Sequence, residues 1–246
     1  MRLAPFLLLF GLKYSRAFSF RGLVLAGIVP NNQSLGGSPW NKVMSRTRTE
    51  LSAAEESAYK LAAGEEVIEI VDRENNVLEP KKRSVMRAEG LIHRATYALV
   101  RDSQNYFYVQ KRSTIKDYCP GFFDPTPGGV VGAGESYEVT NRREVEEEMG
   151  IPASAPMEHM FDFYYEDQRI KCWGDCWEIV YDGPLRLQTT EVDAVEKMSM
   201  QEILDRFEAG EKFTPDSIAA CREYVKRKGC PEVTADKPVL PDIEFY

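Results

Sequence analysis

The sequence predicts an α/β fold, in which strands and helices alternate between residues 65 and 230. Two kinds of local pattern predict it. Short segments rich in β-branched and aromatic residues alternate between apolar and polar positions and end at turn-forming residues, as strands do. Other segments carry the residues that start and stop helices, such as Ser136 and Gly150 on either side of 137–149. A chain that mixes both patterns favours a mixed β-sheet covered by helices.

The elements follow one another in a regular order. A turn at Glu74-Asn75-Asn76 closes the first strand, and Thr214-Pro215 starts the last helix, with proline at the first helical position. Residues 50–64 are expected to form either a short exposed helix or a linker, 118–134 a long ordered loop, and 231–246 an exposed tail. The predicted strands cover 67–72, 93–100, 106–111, 159–165 and 169–181, and the predicted helices cover 81–89, 137–149, 200–209 and 215–228.

One motif carries the chemistry, and it lies over residues 129–151. It reads glycine, five residues, glutamate, seven residues, then Arg-Glu-apolar-x-Glu-Glu-x-Gly-apolar. At average residue usage, nine such coincidences arise on the order of once in 10⁹ starting positions. The matching residues are Gly129, Glu135, Arg143, Glu144, Val145, Glu147, Glu148, Gly150 and Ile151.

Three glutamates of this motif predict a metal site. On a helix, Glu144, Glu147 and Glu148 fall within an arc of roughly 100°. Like charges at these spacings repel one another, and the C-terminal end of a helix is unfavourable for anions. A divalent cation such as Mg²⁺ removes the conflict, because it binds carboxylates, waters and phosphate oxygens. Arg143 lies one turn before Glu147 and can orient it, whereas Glu146 points away as a solvated charge.

The motif matches the Nudix box, so the chain resembles the Nudix superfamily. The resemblance implies an α/β/α sandwich with a mixed β-sheet over 65–230. It also implies an enzyme that hydrolyses a small-molecule diphosphate linked to another moiety, by metal-activated water, with Mg²⁺ or Mn²⁺ as cofactor. The resemblance implies metal binding by Glu144, Glu147 and Glu148, and catalytic roles for Glu147, Glu148 and Arg143.

Further residues are expected around this centre. Gly128 and Gly129 let the backbone approach the substrate where a β-carbon would obstruct it. Lys111 and Arg112 end a strand that faces the glycine-rich loop, where they either contact phosphates or remain solvated strand-end charges. The supporting residues are expected to be Glu135, Glu191 as a base from outside the motif, and His93, which is alternatively a core residue.

Other segments are similar to the branch of the superfamily that contains isopentenyl-diphosphate isomerase, and closest to bacterial Nudix hydrolases of that branch. They include 91–96, 109–112, 116–125 and 213–216, and the resemblance extends over about 65–228. The isomerases use a cysteine just beyond their Pro-Gly loop, where this chain has Thr126-Pro127-Gly128-Gly129, and Cys119 lies before Pro120-Gly121. They also carry a Glu-x-Glu pair where this chain has 170–172, and of their three metal-binding histidines only His93 has a counterpart. Hydrolysis is therefore expected, with isomerisation or a catalytically silent diphosphate-binding module as alternatives.

The first 49 residues have a separate role. They contain seven basic and no acidic residues, whereas 50–246 contain 24 basic and 39 acidic residues. Residues 1–17 predict a signal peptide, with a short apolar segment before Ser15-Arg16-Ala17, and the basic 18–49 predict a transit-like segment. Together with Phe18 they resemble the bipartite plastid presequences of diatoms and related algae. A plastid location is expected; secretion, a mitochondrial presequence and a cytoplasmic protein starting at Met44 are the alternatives.

Composition limits the remaining partners. The acidic part of the chain argues against nucleic-acid backbones, and no segment is long and apolar enough for a membrane span in the mature chain. A homodimer stays open. The five cysteines are odd in number and have no histidine partners nearby, so buried thiols are expected rather than disulfides or a zinc site.

Overall fold

The computed structural model describes residues 52–235 and 238–246. The predicted signal peptide over 1–17 and the transit-like segment over 18–49 lie outside the described residues. Among the helices that are described, none combines the length and the apolar character needed to cross a bilayer.

Ten strands and five helices make up the described part of the chain. The helices are α1 (Ala53–Glu65), α2 (Arg83–Glu89), α3 (Tyr137–Met149), α4 (Met200–Glu208) and α5 (Pro215–Lys228). The strands are β1 (Val67–Val71), β2 (Val77–Lys82), β3 (Ile92–Arg101), β4 (Phe107–Arg112), β5 (Phe123–Asp124), β6 (Met157–Glu166), β7 (Lys171–Val180), β8 (Leu185–Leu187), β9 (Val192–Met198) and β10 (Ile243–Phe245).

A mixed eight-stranded sheet forms the centre of the fold. β3 pairs in parallel with β7 along its whole length and antiparallel with β1, while β7 pairs antiparallel with β6. β4 pairs antiparallel with β5 and β9. The sequence analysis did not predict β2, β5, β8 or β9, and β2 includes residues 81 and 82 of the predicted helix 81–89. β5 and β8 are too short, at two and three residues, for a strand pattern to identify them.

The gap between β3 and β4 creates room for a site. The two strands pair only next to their connecting turn, at Arg101 and Phe107. Further along, the loop before α3 takes the place of β4 beside β3. The backbone N–H groups of Thr96 and Ala98 donate to the carbonyls of Gly129 and Pro127, each at 2.9 Å. The glycine-rich loop is thereby fixed to the middle of the sheet.

Helices cover both faces of the sheet, as the alternation of β3 shows. Tyr97 and Leu99 point to one face and pack with residues of α4 and α5, while Ala98 and Val100 point to the other and pack with α3. A smaller apolar cluster joins β1 to α2. The α/β/α sandwich expected from the resemblance is therefore confirmed.

The segment 50–64, predicted as either a helix or a linker, is helical from Ala53. Ser52 and Glu55 form a reciprocal capping box, in which each side chain accepts a hydrogen bond from the other residue's backbone N–H. Contacts also tie α1 to α2, because Lys82 pairs with Glu65 at 2.7 Å and Arg83 with Glu66 at 2.9 Å. A linker is therefore the wrong description of this segment.

The prediction of an exposed tail over 231–246 is wrong for its last residues. β10 pairs in parallel with β8, and Ile243 and Phe245 pack against the apolar cluster on the α3 side of the sheet. The alternation of Ile243, Glu244 and Phe245 is a strand signal, but three residues are too few to distinguish it from a tail.

Leu99 offers a test of this packing. It is fully buried in the centre of β3, so Leu99→Ala should lower the free energy of unfolding by about 2–5 kcal/mol through lost burial and a new cavity. Leu61 on α1 is 70% exposed, and Leu61→Ala should change the free energy of unfolding by less than about 0.5 kcal/mol. Urea unfolding of the full chain measures both. Equal effects of the two substitutions would contradict the described core.

Candidate active site

A cavity of about 560 Å³ opens beside the glycine-rich loop. Its walls come from α1, α2, β3, α3 and the loops that precede β5 and β9. All but one of the predicted site residues line it: His93, Arg112, Gly128, Gly129, Glu135, Arg143, Glu144, Glu147, Glu148 and Glu191.

α3 carries the carboxylates, and local interactions set its ends. The Ser136 hydroxyl accepts a hydrogen bond from the Val139 N–H, and Gly150 ends the helix in the left-handed conformation. The predicted caps are therefore confirmed. Glu148 is buried, whereas the side chain of Glu147 is 52% exposed at the cavity mouth. Glu146 is exposed and does not line the cavity.

Arg143 connects three carboxylates of the motif. Its guanidinium donates to Glu144 at 2.8 Å, to Glu147 at 3.3 Å and to Glu135 at 3.3 Å. Glu135 in turn accepts a hydrogen bond from the Thr140 hydroxyl at 2.8 Å. The arginine therefore orients the carboxylates, and its positive charge offsets part of their mutual repulsion.

The two glycines of the loop are required by close contacts. A β-carbon on Gly129 would lie 2.5 Å from the carboxyl carbon of Glu144, and one on Gly128 would lie 2.1 Å from the carbonyl oxygen of Thr96. Any side chain at position 129 would therefore displace the Glu144 carboxylate. Gly129 thus lets the loop approach α3, and Gly128 lets it approach β3, because neither position has a β-carbon.

Lys116 is a site residue that the sequence did not reveal. Its ammonium lies between two carboxylates, 3.4 Å from Glu148, and it donates a short hydrogen bond to Glu191. Gln110 also donates to Glu148, at 2.9 Å, and the hydroxyl of Tyr59 donates a short hydrogen bond to Glu191. Burial raises the pKa of Glu148, although Lys116 counteracts it. The one sequence signal for Lys116 was its position in the segment 116–125, which resembles the isomerase-like branch.

α2 adds a cationic wall that was also missed. Arg83 and Arg87, one helical turn apart, both line the cavity and share Asp117, which is 3.1 Å from Arg83 and 3.4 Å from Arg87. The predicted His93 is buried beside them. Burial, assisted by Arg87, lowers the pKa of its imidazole to about 3, so the ring is neutral at physiological pH.

The floor of the cavity is polar. Asp216 accepts hydrogen bonds from the hydroxyls of Tyr97 at 2.9 Å and Tyr118 at 3.0 Å, and burial raises the pKa of its carboxyl to about 6. Arg112 is buried and pairs with Asp124 at 2.8 Å. Its charge is therefore engaged within the protein, which makes it a structural part of the floor rather than a solvated strand end.

Lys111 is the predicted site residue that the structure places elsewhere. Its side chain is exposed, lies outside the cavity lining, and has its ammonium 5.8 Å from the centre of the Phe123 ring. Consecutive strand residues point to opposite faces, so Lys111 and Arg112 cannot both face the cavity. The predicted substrate contact by Lys111 is therefore wrong.

A residue just after β10 caps the C-terminal end of α3. The hydroxyl of Tyr246 donates to the backbone carbonyl of Glu147 at 2.6 Å. The backbone N–H of Gln188 donates to the backbone carbonyl of Glu148 at 3.3 Å. The last carbonyls of a helix have no partner within it. Tyr246 is held by Thr189, whose N–H and hydroxyl both donate to its carbonyl, and by Arg186 above its ring.

The site as a whole combines an acidic wall with a cationic one. The carboxylates of Glu144, Glu147 and Glu148 are oxygen donors of the kind that hard divalent cations such as Mg²⁺ bind. The hydrogen bond from Arg143 orients one of these donors, the Glu144 carboxylate. Lys116, Arg83 and Arg87 also line the cavity. Each is paired with a carboxylate of the protein, and each carries N–H donors of the kind that bind phosphate oxygens. Such an arrangement can bind a divalent cation and a phosphorylated substrate side by side.

The burial of Glu144 predicts how the stability of the protein changes with pH. Burial raises the pKa of this carboxyl from 4.5 to about 7. Between these values the folded protein keeps a proton that the unfolded chain releases, so the free energy of unfolding falls as pH rises. Glu144→Gln removes this penalty. In chelator at pH 8 the variant should be more stable than wild type by about 1–3 kcal/mol, and near pH 4.5 equally stable. Equal stability of the two proteins at pH 8 would contradict the described environment.

Comparison with known proteins agrees with this geometry. The NUDIX domain model matches residues 91–218. An uncharacterized Nudix hydrolase of Yersinia pestis is 43% identical over 166 residues, which cover 68% of this chain and 89% of that protein. The uncharacterized Nudix hydrolase YfcD of Escherichia coli K12 is 42% identical over 165 residues, which cover 67% of this chain and 89% of the relative.

A solved structure shows the same fold. The crystal structure of DR0079 from Deinococcus radiodurans matches with a TM-score of 0.58 and 24% identity, and the match covers 64% of this chain and 98% of that one. The domain match spans more than half of the chain and includes every carboxylate of the α3 wall. The chain therefore belongs to the Nudix hydrolase family.

Proposed function

We propose that this Nudix hydrolase uses Mg²⁺, or Mn²⁺ in its place, to cleave the diphosphate bond of an organic diphosphate with water. The observation that carries the proposal is the acidic wall of α3, where Glu144 and Glu148 are held inside one cavity with Glu147 at its mouth. Arg143 and Lys116 offset only part of the negative charge of the three α3 carboxylates. A divalent cation would neutralise the remainder and bind the substrate phosphates as well.

The residues divide the work as follows. Glu144, Glu147 and Glu148 would hold the cation, which supplies positive charge to the diphosphate and lowers the pKa of water. Arg143 orients Glu144 and Glu147 through its hydrogen bonds. Lys116 lies next to Glu148 and can donate to a phosphate oxygen of the substrate.

The proton of the attacking water requires a carboxylate acceptor. Glu147 is the most accessible of the three, because its side chain is 52% exposed and, among the described residues, Arg143 alone donates a hydrogen bond to its carboxylate. Glu148 accepts hydrogen bonds from Gln110 and Lys116, and Glu191 accepts them from Lys116 and Tyr59. We therefore assign the role of general base to Glu147 or Glu148. Glu191 instead positions Lys116, from which it accepts a hydrogen bond.

The cavity walls favour a polar organic group on the substrate. Within the described part of the chain no phenylalanine, tryptophan, leucine or methionine lines the cavity, and its apolar lining consists of alanines and β-branched side chains such as Ile68, Val130 and Ile170. Its aromatic residues are three tyrosines and His93, and its floor consists of hydroxyl, carboxylate and guanidinium groups. A nucleoside or sugar can form hydrogen bonds there, whereas a prenyl chain would leave those groups desolvated without partners.

The same geometry gives little support to isomerase chemistry, although the resemblance to the isomerase-like branch motivates its test. The thiol of Cys119 is buried, lies outside the cavity lining among the described residues, and accepts a hydrogen bond from Arg169 at 3.3 Å. Burial also raises the pKa of this thiol. Proton transfer to an alkene requires an acid within reach of the substrate, and Cys119 is not positioned for it.

Glu147→Gln tests the proposed reaction. Hydrolysis of nucleoside and sugar diphosphates by the full chain with Mg²⁺ should fall by about 10²-fold or more, since the substitution removes one charge from the cation site. Stability should change little because Glu147 is half exposed. The neighbour Glu146 is exposed and outside the cavity, so Glu146→Gln is the matched control and should keep full activity.

Phosphate or monophosphate release measures this activity. Full activity of Glu147→Gln would remove the α3 carboxylates from the mechanism. Conversion of isopentenyl to dimethylallyl diphosphate by the wild type, abolished by Cys119→Ser, would show that the isomerase alternative is right.

We also propose that the first 49 residues direct the protein to a plastid. Their charge pattern, with seven basic and no acidic residues behind a short apolar segment, supports two successive targeting steps. A fluorescent protein fused to residues 1–60 should reach the plastid of a diatom host. Phe18→Ala should stop it before the inner plastid membranes. Export of the unmutated fusion into the medium would instead support secretion, and a cytosolic signal would support a start at Met44.

A further inference from the structure

A second cluster of metal-ligating side chains lies outside the cavity, on strands β6 and β7. It consists of His159 and Asp162 on β6 and Asp175 on β7. None of the three lines the cavity. Among the described strands β6 pairs only with β7, so the cluster lies at an edge of the large sheet.

A bulge in β6 brings the three side chains together. Residues of a regular strand alternate between faces, so positions 159 and 162 would point in opposite directions. In β6 the pairing shifts between His159 and Phe161, which face the adjacent residues Trp177 and Cys176 of β7. The extra residue, Met160, places His159 and Asp162 on the same face as Asp175. Without this bulge the cluster would not exist.

The distances fit the coordination of one small dication. The imidazole Nε2 of His159 is 3.1 Å from Asp162 Oδ1 and 3.3 Å from Asp175 Oδ2. Zinc binds histidine nitrogen and carboxylate oxygen at about 2.0–2.2 Å. Two ligands of one ion at such bond lengths are roughly 3.0–3.4 Å apart, from octahedral to tetrahedral geometry. The side chains therefore need little movement to share an ion.

The charges of the cluster also point to a cation. Asp162 and Asp175 are directly opposite each other in the β6–β7 pairing, and like charges at such positions repel. Asp175 is only 6% exposed; its Oδ2 faces His159, and its Oδ1 has no hydrogen bond within 3.5 Å among the described residues. An ion bound by both oxygens of this carboxylate would satisfy the buried Oδ1 as well. When both aspartates are ionised they carry two negative charges, which a dication would neutralise.

We propose that His159, Asp162 and Asp175 form a binding site for one transition-metal dication, best matched by Zn²⁺. The imidazole decides the class of metal, because Mg²⁺ prefers all-oxygen, largely hydrated coordination whereas Zn²⁺ favours imidazole. Three protein ligands leave a position for water. The ion joins the edge strand β6 to β7, so the site is distinct in both place and metal from the carboxylates of α3.

The alternative is a protonated His159 that pairs with both aspartates and binds no metal. A full chain without a polyhistidine tag, carrying Glu147→Gln to weaken the α3 site, separates the two. Zn²⁺ binding is followed by calorimetry and by the rise in thermal midpoint. Co²⁺ is followed by its visible absorption and by quenching of tryptophan fluorescence, to which Trp177 contributes with its ring centre 5.1 Å from that of His159.

We expect one equivalent of Zn²⁺ to bind the Glu147→Gln chain with a Kd of about 0.1 mM or tighter. His159→Ala and Asp175→Asn should each weaken it about tenfold or more and abolish the Zn²⁺-dependent rise in thermal midpoint. Glu158→Gln, an exposed neighbour on β6, is the control and should bind as the parent does.

Two results would overturn the proposal. One is an absence of Zn²⁺ binding in the Glu147→Gln chain, and the other is unchanged affinity after His159→Ala. Because each comparison is made within one variant, with and without metal, a lower stability of the variant itself does not obscure the outcome. These experiments do not measure hydrolysis. A failure of Zn²⁺ to bind would therefore not contradict the proposed hydrolase function, and a lack of hydrolase activity would not contradict the zinc site.

Discussion

The compensation of buried negative charge is the constraint on which this structure depends. Glu144 and Glu148 lie one turn apart on α3 and are both shielded from solvent, which would be unfavourable for carboxylates alone. The chain supplies Arg143 from the same helix and Lys116 from the loop before β5 as counter-charges. Each cation reaches the carboxylates only because the surrounding backbone places it there, so the positions of loop and helix are coupled.

The sheet provides the space in which this compensation occurs. Since β3 and β4 pair only beside their turn, a backbone-lined gap opens between them, and the glycine-rich loop fills it by hydrogen bonds to Thr96 and Ala98. Gly129 then lies against the Glu144 carboxylate, where a β-carbon would collide. The position of the Glu144 carboxylate thus depends on the inserted loop, and the loop depends on the gap between β3 and β4. A change in any of the three would move the carboxylates relative to the cationic wall.

The sequence predicted what depends on neighbouring residues. The limits of α3, its cap at Ser136, its end at Gly150 and the pair of Arg143 with Glu147 are all interactions within four residues, and all are confirmed. Tyr59 was missed because its partner Glu191 is 132 residues away, and no local pattern marks it. Lys111 was wrongly expected to contact the substrate. Adjacent strand residues face opposite sides of the sheet, and the sequence did not show which side faces the cavity.

The hydrogen bond from Tyr246 to Glu147 links residues 99 positions apart. A ribosome that adds roughly 5–20 residues per second needs on the order of 5–20 s to cover that distance. The α3 segment is therefore synthesised well before the residue that caps its last turn. The order of synthesis leaves the carbonyl end of α3 without this cap in the nascent chain, and this region acquires its final contacts only when β10 docks beside β8.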